Sequence, residues 1–452
     1  MMTDLFVEFW AFTDANAVWV LIGTMLLGTS ASVIGSFAFL RKRSLVGDVL
    51  AHSAIPGVMT AFILFQSNSP IAMFIGAILS SMLGLFFMNW LPKNTKIKPD
   101  AAMAITLSFF FSLGLMELSY IQGLEVSGKS GLDKMLFGQA AAMLPSDLYL
   151  LSFIAVVILT VVAIFFDKFR LISFNYGYAK TLGINMFFYE GILALLIVTS
   201  VVIGLQIVGV VLMAAVLLTP IATAKFWSSN LSTMLFIAAF IGAVSGLISA
   251  NISYVAPAMP TGPWMVVVLS VFFILSFLFA PKRGLLFNFI KQHKLKLQIN
   301  EENVLRTLYV LNERLPKNKN LKPSTASLDM ANSFAIEDIL RTRYIQLDTL
   351  KDSIKRLYKK GLLLGTESEI GLSKKGVNLA TGLTRKHRLW EVYLALKADI
   401  DPKDVHYQAE LVEHLLTEKQ MKMIEKELRD QNLKDPHGKS IPAQIKGILN
   451  AK

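Results

Sequence analysis

The sequence predicts an all-α polytopic membrane domain of about eight or nine transmembrane helices. A cytosolic winged helix–turn–helix domain and a further helical domain are predicted to follow it. Three observations carry this prediction. Apolar residues fill 54% of the 452 positions and the mean hydropathy is +0.53, too apolar for an ordinary soluble protein. Long apolar runs recur from about Val18 to about Ala280 and then stop. About two-thirds of the charged residues lie after position 285, so one chain holds two compositions. The boundaries read as 1–286 for the membrane domain, 287–375 for a linker and the winged helix, and 376–452 for the last helical domain.

Taken in order, the N-terminus "MMTDLFVEFWAFTDANAVW" is acidic and lacks the basic start of a secretory signal. It reads as an interfacial lead-in. Spans are expected near 17–40, 49–66, 71–91, 101–121, 148–166, 187–204, 206–224, 231–251 and 263–280. Each is about 16–24 residues, near the length that crosses a hydrocarbon core at about 1.5 Å per residue. The basic stretches "RKR" (41–43), "PKNTKIK" (92–98), "DKFR" (167–170) and "PKR" (281–283) fall on alternate connections. The positive-inside rule places them in the cytoplasm, with everything after about 285.

At the start of the second span, Asp48 and His52 stand four residues apart and share a helix face. A titratable residue in a span is costly and normally faces a bundle interior or an aqueous cavity. His52 lies about 13 Å beyond Arg43, close to the midplane where transporters place substrate. Imidazole and carboxylate together suit a first-row divalent cation. The competing reading is an Asp–His hydrogen bond that only braces helices. Glu117 and Glu190 sit near span ends and read as snorkelling or capping residues, with lining of the metal pathway as the competing reading.

The segment "DKFRLISFNYGYAKTLGIN" is too polar to span and reads as a cytoplasmic connection, with "YGYAKTLGI" as a short surface helix. "ENVLRTLYVLNERL" has helical periodicity, and "LPKNKNLKPSTASLDMANS" reads as a polar insertion. "AIEDILRTR", "QLDTLKDSIKRLYKKG" and "LLLGTESEIGLSKKG" then read helix, helix, hairpin, the order of a winged helix. On its second helix Leu347, Thr349, Lys351, Asp352 and Lys355 are candidates to face a DNA groove, with the lysines supplying phosphate attraction.

Further on, His387 and Glu391 are again four apart, and His406, Glu410, Glu413 and His414 line one face of a following helix. Two such helices packed together would gather three imidazoles and three carboxylates, a metal site. The competing reading is a solvated charged face. The chain has no cysteine, which excludes disulfides and thiolate sites. It has no G-x-x-x-x-G-K-[ST] phosphate loop and no nucleophile–base set, so neither ATP hydrolysis nor other enzymatic chemistry is expected of it.

Residues 17–286 resemble the ABC-type manganese/zinc/iron permease family. The resemblance is carried in order by "FAFLRKRSLVGDVLAHSAIPGVMTAFIL", "MLFGQ" (135–139), "FNYGYAKTLGI" (174–184), "QIVGVVLMAAVLLTPIATAKF" (206–226) and "FAPKRGLL" (279–286). It implies that Asp48 and His52 match metal-pathway positions. It implies that Asn175, Tyr178, Ala179, Leu182 and Gly183 belong to a coupling helix that touches an ATPase; Asn175 stands where many relatives have Asp. Residues 300–442 resemble the diphtheria-toxin-repressor family of metal-dependent regulators, on "ENVLRTLY", "LSKKGVNLATGLTRKHRLWEVYL", "DPKDVHYQAELVEHLLTE" and "DPHGKSIP". By position His387, Glu391 and His406 match one metal site of that metal-binding and dimerisation region. Glu410, Glu413 and His414 match the second. Glu410 replaces a cysteine of iron-type members, and Asn303 stands where relatives place Met or Asp, as a weaker neutral donor.

Together the resemblances imply a multi-pass protein of a bacterial inner (cytoplasmic) membrane with its C-terminal domain in the cytoplasm. They imply Mn, Fe or Zn as substrate and regulatory ligand. The expected partners are a separate ABC ATPase subunit, an extracytoplasmic metal-binding protein, a second permease chain (the same or a different one), and DNA through the tail. The tail would either repress transcription after release or gate the permease in place. The rival from another class is a membrane-tethered, metal-sensing transcription regulator whose spans sense rather than transport.

Overall fold

The computed structural model describes residues 2–41, 45–66, 69–124, 132, 138, 140, 143–256, 259–315, 332–366, 369–397, 418–428 and 439–442. Contacts divide the chain into two units, Met1–Asn288 and Phe289–Lys452.

In the first unit a short helix α1 (Met2–Trp10) precedes α2 (Ala15–Leu40), α3 (Val46–Phe65), α4 (Pro70–Asn94), α5 (Pro99–Gly123) and α6 (Pro145–Phe174). A six-residue helix α7 (Tyr176–Thr181) leads to α8 (Met186–Ile207), α9 (Val210–Trp227), α10 (Leu231–Val255) and α11 (Thr261–Phe279). Among the described residues, nine of these helices are long and apolar enough to cross a membrane, one for each expected span. Their exposed apolar stripes fit that reading. On α4, Ile71, Ile75, Leu79, Leu83 and Phe86 all lie open at three- or four-residue spacing, as a lipid-facing side requires.

Helix α2 forms the centre, packing along α10 and also against α6, α8 and α9. Its Leu27, Ala31, Ile34 and Phe37 are fully buried. Close approach to α10 depends on paired glycines: a Cβ on Gly28 would lie 2.2 Å from the Gly242 carbonyl oxygen. Such small-residue contacts let backbones meet where lipid supplies no hydrophobic drive. One level away, the Thr24 hydroxyl donates to the Gly246 carbonyl at 3.1 Å.

Among the boundaries that differ from the sequence expectation, two bear on the site and its connections. The polar stretch after position 166 continues α6 as helix to Phe174, with a kink at Phe165. Asp167, Lys168 and Arg170 interrupt the hydropathy without interrupting the backbone hydrogen bonds, so the helix outruns the apolar run. The second span starts at Val46 rather than 49, which makes Asp48 the third residue of α3. There it meets the positive end of the helix dipole, which lowers the cost of a carboxylate.

The second unit holds most of α12 (Leu285–Arg314), then α13 (Ile336–Thr342), α14 (Leu347–Lys359), β1 (Leu363–Gly365), β2 (Ile370–Leu372), α15 (Lys374–Lys397) and α16 (Glu418–Glu427). The strands pair antiparallel, with Leu364 opposite Gly371. Val304, Leu305 and Leu308 of α12 share a core with Ile339, Leu350, Ile354, Leu357, Leu363 and Ile370. Gly361 takes φ +67, which turns the chain out of α14 into β1. Glu301 fastens α12 to α14: its carboxylate accepts from Arg356 Nε at 3.0 Å and pairs with Lys360. A second cluster joins Leu389 and Val392 to Ile424 and Leu428.

Candidate metal sites

Asp48 and His52 project from α3, which packs against α4 and α5. Both are half-buried. Among the described residues neither makes a hydrogen bond or ion pair, and they do not bond each other; His52 Nδ1 is enclosed with no partner. The bracing interaction that would explain the pair as structural is not formed. The imidazole instead lies edge-on to Phe111 of α5, ring centroids 4.7 Å apart.

The two glutamates of the spanning helices part company. Glu190 of α8 pairs with Arg41, the residue that ends α2, so its place in an apolar helix is accounted for. Glu117 of α5 accepts from the Thr60 hydroxyl of α3, at 3.1 and 3.2 Å to its two oxygens. Sequence reading places neither partner, because the contacts join positions 149 and 57 residues apart.

In α7 the Asn175 side chain accepts from the Tyr178 N–H at 3.0 Å, so asparagine caps this helix with the oxygen that an aspartate would offer. Ala179 is buried, while Tyr176, Tyr178 and Leu182 present apolar surface. Gly183 turns the chain with φ +74.

In the second unit His387 and Glu391 of α15 are buried, at 5% and 1% exposure. His387 Nε2 lies 2.9 Å from Glu391 Oε1. Arg306 of α12, also buried, reaches His387 Nδ1 at 2.7 Å. A guanidinium only donates, so Nδ1 accepts, the ring proton sits on Nε2, and Nε2–H donates to Glu391. Asn303, one turn before Arg306, holds its Oδ1 enclosed and without a partner. Imidazole, carboxylate and amide oxygen are donor types suited to Mn²⁺, Fe²⁺ or Zn²⁺. Arg306 is a competing cation that the sequence did not reveal. Among the described residues no group of three or more His, Asp or Glu side chains assembles to hold a metal. His406, Glu410, Glu413 and His414 lie outside the described residues.

Around this triad, Arg388 forms a two-pronged pair with Glu313, at 3.0 and 2.6 Å, and donates to the Ser440 carbonyl at 2.7 Å. Tyr309 sits beside them. Burial first, then the Glu313 carboxylate, pushes its phenol above the usual range, with Arg388 pulling the other way. On α14, Leu347, Lys351, Asp352 and Lys355 are exposed, while Thr349 is half-buried.

Residues 13–280 match the ABC 3 transport family, and residues 373–443 match the iron dependent repressor, metal binding and dimerisation domain. The chain is 40% identical over 388 residues, 84% of either chain, to the manganese transport system membrane protein MntC of Bacillus subtilis. It is 35% identical to the zinc transport system membrane protein TroC of Treponema pallidum, over 63% of this chain and 96% of that one. Among solved structures, PsaBC from Streptococcus pneumoniae in complex with Fab is 31% identical with a TM-score of 0.56, over 61% of this chain and 97% of that chain.

Proposed function

From the premise that this chain belongs to the ABC 3 transport family, with an iron-dependent-repressor metal-binding domain fused behind its spans, we propose that it is the membrane subunit of an importer for Mn²⁺, Fe²⁺ or Zn²⁺. One observation carries the transport reading. Asp48 and His52 share a face of α3, and neither has a hydrogen-bond or ion-pair partner among the described residues. Polar groups kept unpaired in a membrane helix are expensive, and a passing dication is the ligand their chemistry fits. The ion enters from the side away from the basic loops, between two permease chains, after delivery by an extracytoplasmic binding protein. His52 and Asp48 replace part of its water shell before release inside.

A separate ATPase supplies the energy through α7. Tyr176, Tyr178 and Leu182 form an apolar knob that the Asn175 cap holds in helical shape. The test is Mn²⁺ uptake in cells lacking this chain and in cells where it is restored. Uptake returns with the wild-type chain and not with Asp48→Ala at equal membrane level. Restoration by Asp48→Ala would defeat the transport reading.

For the tail we propose a winged helix over 287–375, with α14 as the helix offered to DNA and β1–β2 as the wing, followed by a metal-binding and dimerisation region over 376–452. His387, Glu391 and Asn303 are the described donors for a regulatory metal. A dication taken at His387 replaces either Arg306 at Nδ1 or the Glu391 hydrogen bond at Nε2. Two outcomes separate the roles of the tail. Transport that rises on deleting 300–452 marks it as a gate. A free C-terminal fragment that binds operator DNA only with added metal marks it as a repressor.

A further inference from the structure

Thr60 and Glu117 are the polar contact that the proposed pathway has not absorbed. Helices α3 and α5 run side by side, and their contacts follow in order. His52 meets Phe111, Ile55 and Pro56 meet Gly114, and Thr60 meets Glu117. The middle contact requires glycine: a Cβ on Gly114 would stand 2.7 Å from Ile55 Cγ2 and 3.1 Å from Pro56 Cδ. Asp48, His52, Pro56 and Thr60 succeed one another every four residues in a slow spiral of about 40° per step, which brings Thr60 about 80° round from His52. Along the axis Thr60 lies about 12 Å beyond His52, and His52 about 6 Å beyond Asp48. Pro56 carries no N–H, so the His52 carbonyl loses its donor one turn on and adds a further oxygen to the spiral.

Glu117 differs from Glu190 in what holds it. Glu190 has Arg41. Glu117 has a hydroxyl and, among the described residues, no ion-pair partner. It is not a snorkelling end residue either: it is half-buried, six positions before α5 ends, and turned onto α3. Thr60 is exposed on the isolated chain, so this end of the spiral is open.

We propose that Glu117, oriented by Thr60, is the first ligand of the transported dication, receiving it at the outer end of α3, beyond the closed Gly114 contact, before it reaches His52 and Asp48. This rests on the reading that Asp48 and His52 line the pathway. Carboxylate and hydroxyl are oxygen donors suited to stripping water from a hard or borderline ion, and the freed carbonyl stands further in, beside His52. The imidazole then takes the ion deeper in.

The experiment is the initial rate of Mn²⁺ uptake over a concentration series, in cells carrying the full-length chain at matched membrane levels. Glu117→Gln keeps the side-chain shape and an acceptor for Thr60 while removing the charge. Its KM is expected to rise about tenfold or more, the scale on which metal-orienting groups act, with Vmax within about twofold. Thr60→Val raises KM in the same direction by less. A Glu117→Gln KM within about twofold of wild type, in a background where Asp48→Ala abolishes uptake, overturns the role of Glu117 and leaves the pathway standing. Wild-type uptake by Asp48→Ala overturns the pathway and this proposal with it. If Glu117→Gln does not reach the membrane, Glu117→Asp and Thr60→Val carry the same comparison, and unchanged KM in both overturns the proposal.

Discussion

The chain carries the same pair of side chains at the same spacing twice and treats them in opposite ways. In α3 the carboxylate comes first, Asp48 before His52, and the two do not bond. In α15 the imidazole comes first, and His387 and Glu391 are joined at 2.9 Å, with Arg306 closing the other side of the ring. The longer glutamate reaches back one turn where the aspartate, one methylene shorter, does not. An i, i+4 acid–imidazole pair therefore does not by itself announce a metal site. What separates the cases is whether other groups already satisfy the pair. The α3 pair has no hydrogen-bond partner among the described residues. The α15 pair is a closed contact.

The largest effect expected from this contrast is at His52. Replacing it by Ala removes a ligand rather than a support, so metal uptake should fall by more than about 100-fold, beyond the range for outer residues. Uptake near wild type would make the two pairs alike in being structural. Next comes Arg306→Ala, which leaves the buried His387 Nδ1 without its donor. The second unit should lose about 1–3 kcal/mol, read as a lower unfolding midpoint of the full-length protein in detergent. Mn²⁺ should bind the tail more tightly, because its competing cation is gone. A stability loss with weaker Mn²⁺ binding would show that Arg306 supports the metal site instead of contesting it.

Asn175→Ala sharpens the contrast between coupling and binding. It removes the α7 cap at a cost of about 1 kcal/mol, and should lower metal-stimulated ATP hydrolysis in the assembled transporter without altering the KM for metal. Asn175→Asp should match wild type. The smallest effect lies on α14. Lys351→Ala with Lys355→Ala should weaken DNA binding by the tail and reduce its salt dependence by about two counterions, measured by titration at several salt concentrations. An unchanged salt slope would remove these lysines from any DNA contact.

Much of the membrane unit was legible because hydropathy reports directly on the solvent a helix must meet. It failed where the two diverge. Asp167, Lys168 and Arg170 end the apolar run while α6 continues to Phe174. The site divided in the same way. Asp48 with His52, and His387 with Glu391, are visible because a helix fixes the relation of neighbours four apart. Thr60–Glu117 and Arg306–His387 are not, because each depends on which helix packs beside which, over 57 and 81 positions of chain. Glu117 and Glu190 look alike in sequence, and only Arg41 tells them apart.

The most direct test is pulsed electron paramagnetic resonance of Mn²⁺ bound to the purified full-length chain, compared with His52→Gln carrying the same intact tail. Nitrogen modulation per bound Mn²⁺ should be weaker in the second by the contribution of one imidazole, because the histidines of the tail contribute equally to both proteins. Identical nitrogen modulation in both proteins would contradict a dication held by the polar couple of α3.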